Sequence, residues 1–234
     1  MGNNKRKMLQ EDNGRVKVYA RIRPTARFAQ DMIELLPDGK SLNIHCKKDL
    51  RRGYINNQIL DWGFHLDRVL HNASQSDVYK ECAASIVSKG LNGYNGTILA
   101  YGQTGAGKTF TMTGSTEKFQ HRGIIPRAIQ QVYREIRERP EHAVTVRISY
   151  LEIYNEQMFD LLCTLPGTVS NPSLMAVTED DDGFTRVKGL SVHQANSEEE
   201  ALNLLFEVRM ISYRQIEGAS SQENFSVESK SACL

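Results

Sequence analysis

The feature that most constrains this chain is the run Gly102-Gln103-Thr104-Gly105-Ala106-Gly107-Lys108-Thr109, set between an apolar stretch and a helix-forming one. Glycine accepts backbone angles closed to other residues, so the chain can turn tightly here and aim successive N–H groups at one point. The preceding Thr97-Ile98-Leu99-Ala100-Tyr101 has the length and composition of a buried strand, and Lys108-Thr109 open a helix. Strand, loop and helix start therefore follow in order, the context in which G-x-x-x-x-G-K-[ST] is a phosphate-binding loop rather than a chance glycine turn. Backbone amides and the helix N-terminus would meet phosphate oxygens, Lys108 the β- and γ-phosphates, and the Thr109 hydroxyl a Mg²⁺ ion. Neither N-K-x-D nor T-K-x-D occurs, which favours ATP over GTP.

A magnesium site of this class also takes an Asp from the end of a second buried strand. Asp160 follows Met158-Phe159, but Asn155-Glu156-Gln157 make a poor buried strand, so Asp160 is assigned to the surface or a helix end. No other acidic residue suggests itself.

Elsewhere the periodicity reads as short strands and helices. Val16, Val18, Ala20 and Ile22 alternate with polar residues as in a strand that Pro24 ends; Ser41 to Cys46 and Gln58 to Phe64 form further short strands, with turns at Asp38-Gly39 and Arg52-Gly53. Ser74 with Asp77 caps a helix whose stripe runs Val78, Tyr79, Cys82, Ala83 and Ile86, and Gly90 closes it. Pro126 suits a helix's first turn, and Pro140 marks that helix's end. Val144, Val146, Ile148 and Tyr150 alternate before Leu151 and Ile153 change face, which predicts a bulged strand or one covered on both sides. Gly167 to Pro172 and Thr178 to Gly183 are predicted as exposed loops. Ser197 and Glu200 form a capping box ahead of Ala201, Leu202, Leu204, Leu205 and Phe206. Past Glu207 hydrophobic periodicity fades into a serine-rich stretch read as disordered.

Net charge is +1, from 29 basic and 28 acidic residues, so neither nucleic acid nor an anionic membrane is advertised as a partner. No apolar run reaches the roughly 20 residues of a membrane helix, and no lipidation pattern or signal peptide is recognised at the ends; a cytosolic location is expected. Cys46, Cys82, Cys163 and Cys233 lack paired spacing and are expected as reduced thiols.

Spelled out as Tyr101-Gly-Gln-Thr-Gly-Ala-Gly-Lys-Thr-Phe-Thr-Met112, the loop resembles the kinesin variant of the P-loop. Other blocks agree in order: Ala20-Arg-Ile-Arg-Pro24, Phe64-His-Leu-Asp-Arg-Val69, Gly93-Tyr-Asn-Gly-Thr97, Gly123-Ile-Ile-Pro-Arg127, Ser149-Tyr-Leu-Glu-Ile-Tyr-Asn155 and Val187-Lys-Gly-Leu190. The resemblance covers about residues 15 to 207, between a polar arm at 1–14 and the tail at 208–234. It implies an α/β P-loop NTPase fold of kinesin type, a mixed sheet flanked by helices on both faces. It further implies ATP with Mg²⁺ as ligands, adenine contacts from Arg21, Pro24 and Phe110, microtubules as partner and a place on the cytoskeleton. Without the resemblance, Arg21 is an exposed charge on a strand and Phe110 an apolar residue in a helix's first turn.

Kinesins continue with N-x-x-S-S-R-S-H, forming switch I, and D-x-x-G-x-E, forming switch II, and neither string occurs in these 234 residues. Ser220-Ser221-Gln222-Glu223-Asn224 comes nearest to the first and lacks its Arg and His. The expectation is a truncated kinesin product, incomplete on its C-terminal side, because strands that follow the switches lie inside the family's sheet. The remaining acidic loop around Asp180 is also a poor match for acidic tubulin.

Overall fold

A computed structural model describes residues 15–26, 28–46, 61–115, 118–163, 175–181, 183 and 185–219, with side chains to residue 208. The chain divides into two compact units, residues 1–73 and 74–234.

In the first unit β1 (Tyr19–Ile22) pairs in parallel with β5 (Arg68–His71), while β2 (Ile33–Leu35), β3 (Ser41–His45) and β4 (Asp61–His65) form an antiparallel meander. The first strand begins at Tyr19, later than the alternation from Val16 suggests, and Val16 and Val18 are exposed. In the meander, Leu42 lies opposite Leu35 and Phe64, and Ile44 opposite Ile33 and Trp62, so the period-two pattern gathers the apolar side chains on one face. The turn between β2 and β3 is built by Asp38, whose carboxylate accepts from Lys40 N (2.8 Å), Ser41 N (2.8 Å) and Ser41 Oγ (2.6 Å). Those bonds, the Ser41 hydroxyl first, hold its pKa down to about 2. The predicted turn at Arg52-Gly53 and the start of the predicted strand at Gln58 lie outside the described residues.

The second unit opens with α1 (Gln75–Cys82), whose capping box is formed as predicted, with the Ser74 hydroxyl accepting from Asp77 N and the Asp77 carboxylate from Ser74 N. The helix does not run on to Gly90. At Ala83 the backbone leaves helical geometry (φ −125°), and α2 (Ala84–Leu91) starts afresh, with Gly90 inside its last turn. The phosphate-loop helix α3 (Lys108–Met112) and a single 3-10 turn (Phe119–His121) precede α4 (Ile124–Arg137), which carries Pro126 in its first turn and ends before Pro140.

Buried polar side chains tie α1, α2 and α4 together. The Tyr79 hydroxyl donates to Gln131 Oε1 (2.5 Å), and Gln131 Nε2 reaches Ala84 O (2.9 Å), Ser88 Oγ (2.9 Å) and Glu135 Oε1 (2.7 Å). The unit's core lies where Ile129 and Tyr133 of α4 meet Ala201, Leu202, Leu205 and Val208, around Leu161, Leu162 and Ala195. Each such large apolar side chain contributes about 1.5–3 kcal/mol when fully buried.

The predicted long strand from Val144 is two strands. β6 (Val146–Ile148) pairs with β11 (His193–Ala195), and β7 (Leu151–Tyr154) with β8 (Gln157–Asp160). The change of face read at Leu151 marks the break, where Tyr150 turns into the core. β9 (Ala176–Glu179) and β10 (Thr185–Lys188) make the exposed acidic hairpin expected as a loop, with Asp180 paired to Arg186. The loop expected at Gly167 to Pro172 lies outside the described residues.

The last helix, α5 (Glu198–Ala219), starts with the Ser197 hydroxyl accepting from Glu200 N (3.1 Å), but the Glu200 carboxylate bonds Asn196 N (2.7 Å) instead of closing the box on Ser197. Its backbone stays helical through 208–219, where fading periodicity predicted a structureless tail; residues 220–234, with the Ser220–Asn224 string and Cys233, lie outside the described residues.

The architecture is the α/β fold of kinesin type, with parallel and antiparallel pairings. The described strands fall into five separate sheets and do not join into the continuous one implied above. Thr97–Tyr101 is the clearest departure from the sequence reading: it forms no strand, and Leu99 and Tyr101 are 69% and 96% exposed. A strand exists only through ladder partners, and an apolar run cannot supply them for itself.

Candidate nucleotide site

The glycine loop turns as its residue types require. Gly105 and Gly107 stand at φ 82° and 100°, and Gly107 in left-handed geometry forms the N-cap of α3. A β-carbon at Gly107 would meet no atom within 4 Å, so glycine is needed there for its backbone angle and not for space. Ala106 N donates to Gln103 O (3.0 Å), closing the turn, and Thr104 lies exposed at its tip.

Lys108 folds back over the loop that precedes it. Its ammonium donates to Gly102 O (2.6 Å) and Gln103 O (3.2 Å), so the cation is held against the backbone of the turn. The Thr109 hydroxyl is on an exposed residue one step along α3, and the Thr111 hydroxyl returns to Gly107 O (2.9 Å). Amides, ammonium and free-facing hydroxyl are the donor set that the phosphates of a magnesium nucleotide require. Phe110 is 45% exposed, with its ring edge-on to His121 at 6.4 Å between centroids.

Arg21 and Pro24 belong to the first unit. Arg21 is half-buried on β1 opposite Leu70, and Pro24 lines an open concavity of about 420 Å³ with Thr25, Phe28, His71 and Asn72. Asp160 is corrected outright. It is 7% exposed, and its carboxylate accepts from Ser191 N (2.7 Å), Ser191 Oγ (2.9 Å) and Leu162 N (3.0 Å), pinning the end of β8 to the segment before β11. It is a buried structural acceptor, neither a surface residue nor a helix end. Among the described residues no cluster of His, Cys, Asp and Glu could hold a metal ion.

Two contacts around the loop have no signature in the sequence. Gln75, 5% exposed, donates from Nε2 to Phe110 O (2.7 Å) and His121 O (3.1 Å). Arg127 donates from Nε to Arg122 O (2.9 Å) and from Nη2 to Gln120 O (3.2 Å), fastening the segment that returns beside α3. An amide in the first turn of a helix and an arginine on an amphipathic one both read as solvated, so only the tertiary contacts single them out.

The chain matches the family described as kinesin motor domain over residues 21–226. It is 58% identical over 193 residues to Kinesin-like protein KIF9 of Mus musculus, a match covering 82% of this chain and 24% of that protein. It is 48% identical over 191 residues to Kinesin-like protein KLP1 of Chlamydomonas reinhardtii, again with 82% and 24% covered. Among solved structures it is similar to a fast kinesin, at 31% identity and a TM-score of 0.67, over 84% of this chain and 52% of that one. The chain thus spans about a quarter of the length of these relatives and about half of the solved motor. With its loop, flanking blocks and fold all matching, the chain belongs to the kinesin motor domain family of microtubule-based motors.

Proposed function

We propose that residues 1–234 bind Mg-ATP through the loop 102–109 as the nucleotide-binding part of a kinesin motor domain, and do not turn it over by themselves. The observation that carries the binding reading is the loop itself: left-handed Gly107 opening α3, with the Lys108 ammonium held against the turn. Lys108 and the loop amides hold the phosphates, Thr109 faces the metal, and Phe110 serves the base. Bound Mg²⁺ neutralises phosphate charge in this class of site.

The second half of the proposal rests on residue chemistry. Phosphoryl transfer needs the γ-phosphate neutralised, the metal held and the water oriented together. The strings that do this in kinesins, N-x-x-S-S-R-S-H and D-x-x-G-x-E, do not occur in residues 1–234. The Asp160 carboxylate accepts from Ser191 and Leu162 in the core. The exposed hairpin bearing Glu179, Asp180 and Asp181 gives acidic tubulin little to bind.

Titration of residues 1–234 with a fluorescent ATP analogue, with phosphate release followed in parallel, tests both halves. Saturable Mg-dependent binding is expected, weakened at least about 100-fold by Lys108→Ala, since each tenfold corresponds to about 1.4 kcal/mol of contact free energy. Binding indifferent to Lys108→Ala would remove the loop from the reading. Microtubule-stimulated phosphate release would overturn the claim of no turnover.

A further inference from the structure

We propose that Gln75 is a positioning residue for the phosphate loop, its buried amide fixing α3 and with it the disposition of Lys108, Thr109 and Phe110. The inference rests on the nucleotide-binding reading above and adds to it a residue outside the loop, on another helix.

The need for such a residue follows from the length of α3. Five residues make little more than one turn, and an isolated helix that short is unstable in water. Its closing bonds include Thr111 N to Gly107 O (2.9 Å), Thr113 N to Thr109 O (2.8 Å) and Gly114 N to Thr109 O (3.1 Å). Gln75 donates to the carbonyl of Phe110 at 2.7 Å, from α1 and across 35 residues of chain.

The same nitrogen donates to His121 O at 3.1 Å, and that carbonyl also accepts from Ser115 N (2.9 Å). His121 is next to Arg122, which bridges Gly114 in antiparallel fashion. One amide thus holds the helix that begins at Lys108 and the segment that returns beside it. There is little slack around the bridge: a β-carbon at Gly114 would stand 2.0 Å from His121 O, and one at Gly123 2.6 Å from Met112 O. The Phe110 ring rests against the His121 ring, so both ends of Gln75's grip bear on the residue assigned to the base. Gln75 is itself fixed, directly after the capped Ser74 and 5% exposed. Two hydrogens on one nitrogen suit two carbonyls. A carboxylate at the same place would set like charge against both, and an alkyl group would remove the donor from both.

The test uses residues 1–234 carrying Gln75→Leu, which keeps volume and removes the donor, and Gln75→Asn, which keeps the amide but shortens its reach. Tyr133→Phe, which removes a bond to Ala195 O within the core, serves as a control for general loss of stability. Hydrogen exchange is read at Thr111, Thr113 and Gly114, and affinity is read with the same fluorescent ATP analogue. Expected in both Gln75 variants is at least about tenfold faster exchange at those three amides, α5 unchanged, and about tenfold weaker nucleotide binding, a loss of one hydrogen-bonded contact. Tyr133→Phe is expected to leave both readouts at α3 unaltered. Wild-type exchange at α3 in the variants, or faster exchange with unchanged affinity, would overturn the proposal. Failure of the parent chain to bind any nucleotide would instead refute the nucleotide reading, and the exchange data would still decide whether Gln75 holds α3.

Discussion

Glu156 occupies a conformation that its side chain does not favour. With Asn155 it forms the two-residue turn between β7 and β8, at φ 47° and 63°, and the pairing of Tyr154 with Gln157 requires both residues to be left-handed. Asn accepts this region readily, whereas Glu has no local hydrogen bonding to offset the steric cost of about 1–2 kcal/mol. Its side chain is exposed, so nothing is lost by deleting it. Glu156→Gly should therefore stabilise the chain by about 0.5–1 kcal/mol, after the extra unfolded-state entropy of glycine is subtracted, as read from the midpoint of urea unfolding. An unchanged or lower midpoint would mean the turn is not under strain. The sequence reading took Asn155-Glu156-Gln157 as unsuited to a strand, which is correct for the first two residues. What it could not see was that a tight turn here lets β8 begin at Gln157 and bring Asp160 into the core.

Between elements, the α1, α2 and α4 assembly joins a polar hub to its buried apolar side chains. Gln131 is 6% exposed on α4 and bonds partners on both of the other helices. Burial pushes the Tyr79 hydroxyl up to about 12, and Tyr150, buried in the core, is pushed up to about 12 for the same reason. In the unfolded chain both ionise near 10. Below pH 10 the two states are equally protonated, and the tyrosines' contribution is complete. Above it the unfolded chain gives up protons that the folded one keeps, so stability falls until about pH 12. Unfolding measured at pH 9, 10 and 11 should show a decline of at most about 1.4 kcal/mol per pH unit for each tyrosine. Tyr79→Phe should lessen that slope while lowering stability at pH 8 through loss of the bond to Gln131. A slope unchanged in Tyr79→Phe would assign the alkaline loss to other groups. The starts of α1 and α4 were legible in Ser74, Asp77 and Pro126, whereas the break at Ala83 that separates α2 was not. Nor was the hub, because a glutamine's burial depends on which helices surround it.

At the scale of the whole molecule, the five separate sheets and the bare Thr97–Tyr101 run belong together. An extended apolar segment with Leu99 and Tyr101 in solvent has strand composition without strand partners. Amides of residues 97–101 in the chain of residues 1–234 should exchange at nearly unprotected rates, while those of α4 and α5 around the shared core are protected, as mass-spectrometric hydrogen exchange would report. In a longer kinesin chain carrying the switch motifs the same five residues should become protected by at least about 100-fold. Protection already present in residues 1–234 would show that the run finds partners by association or rearrangement.

The phosphate loop, the family and the starts of α1, α3, α4 and α5 were legible in the amino-acid order, because each is written in residue types whose local geometry is nearly obligatory: glycines for positive φ, a lysine and threonine at a helix start, proline in a first turn, serine with an acid three residues on. Only the tertiary structure decided that Asp160 is buried on Ser191, that Gln75 grips both sides of the bridge beyond α3, and that Thr97–Tyr101 stands unpaired. Those three outcomes depend on which distant carbonyls, amides and strands arrive at a residue, and hydrogen-bond partners supplied from across the chain leave no mark in the local sequence.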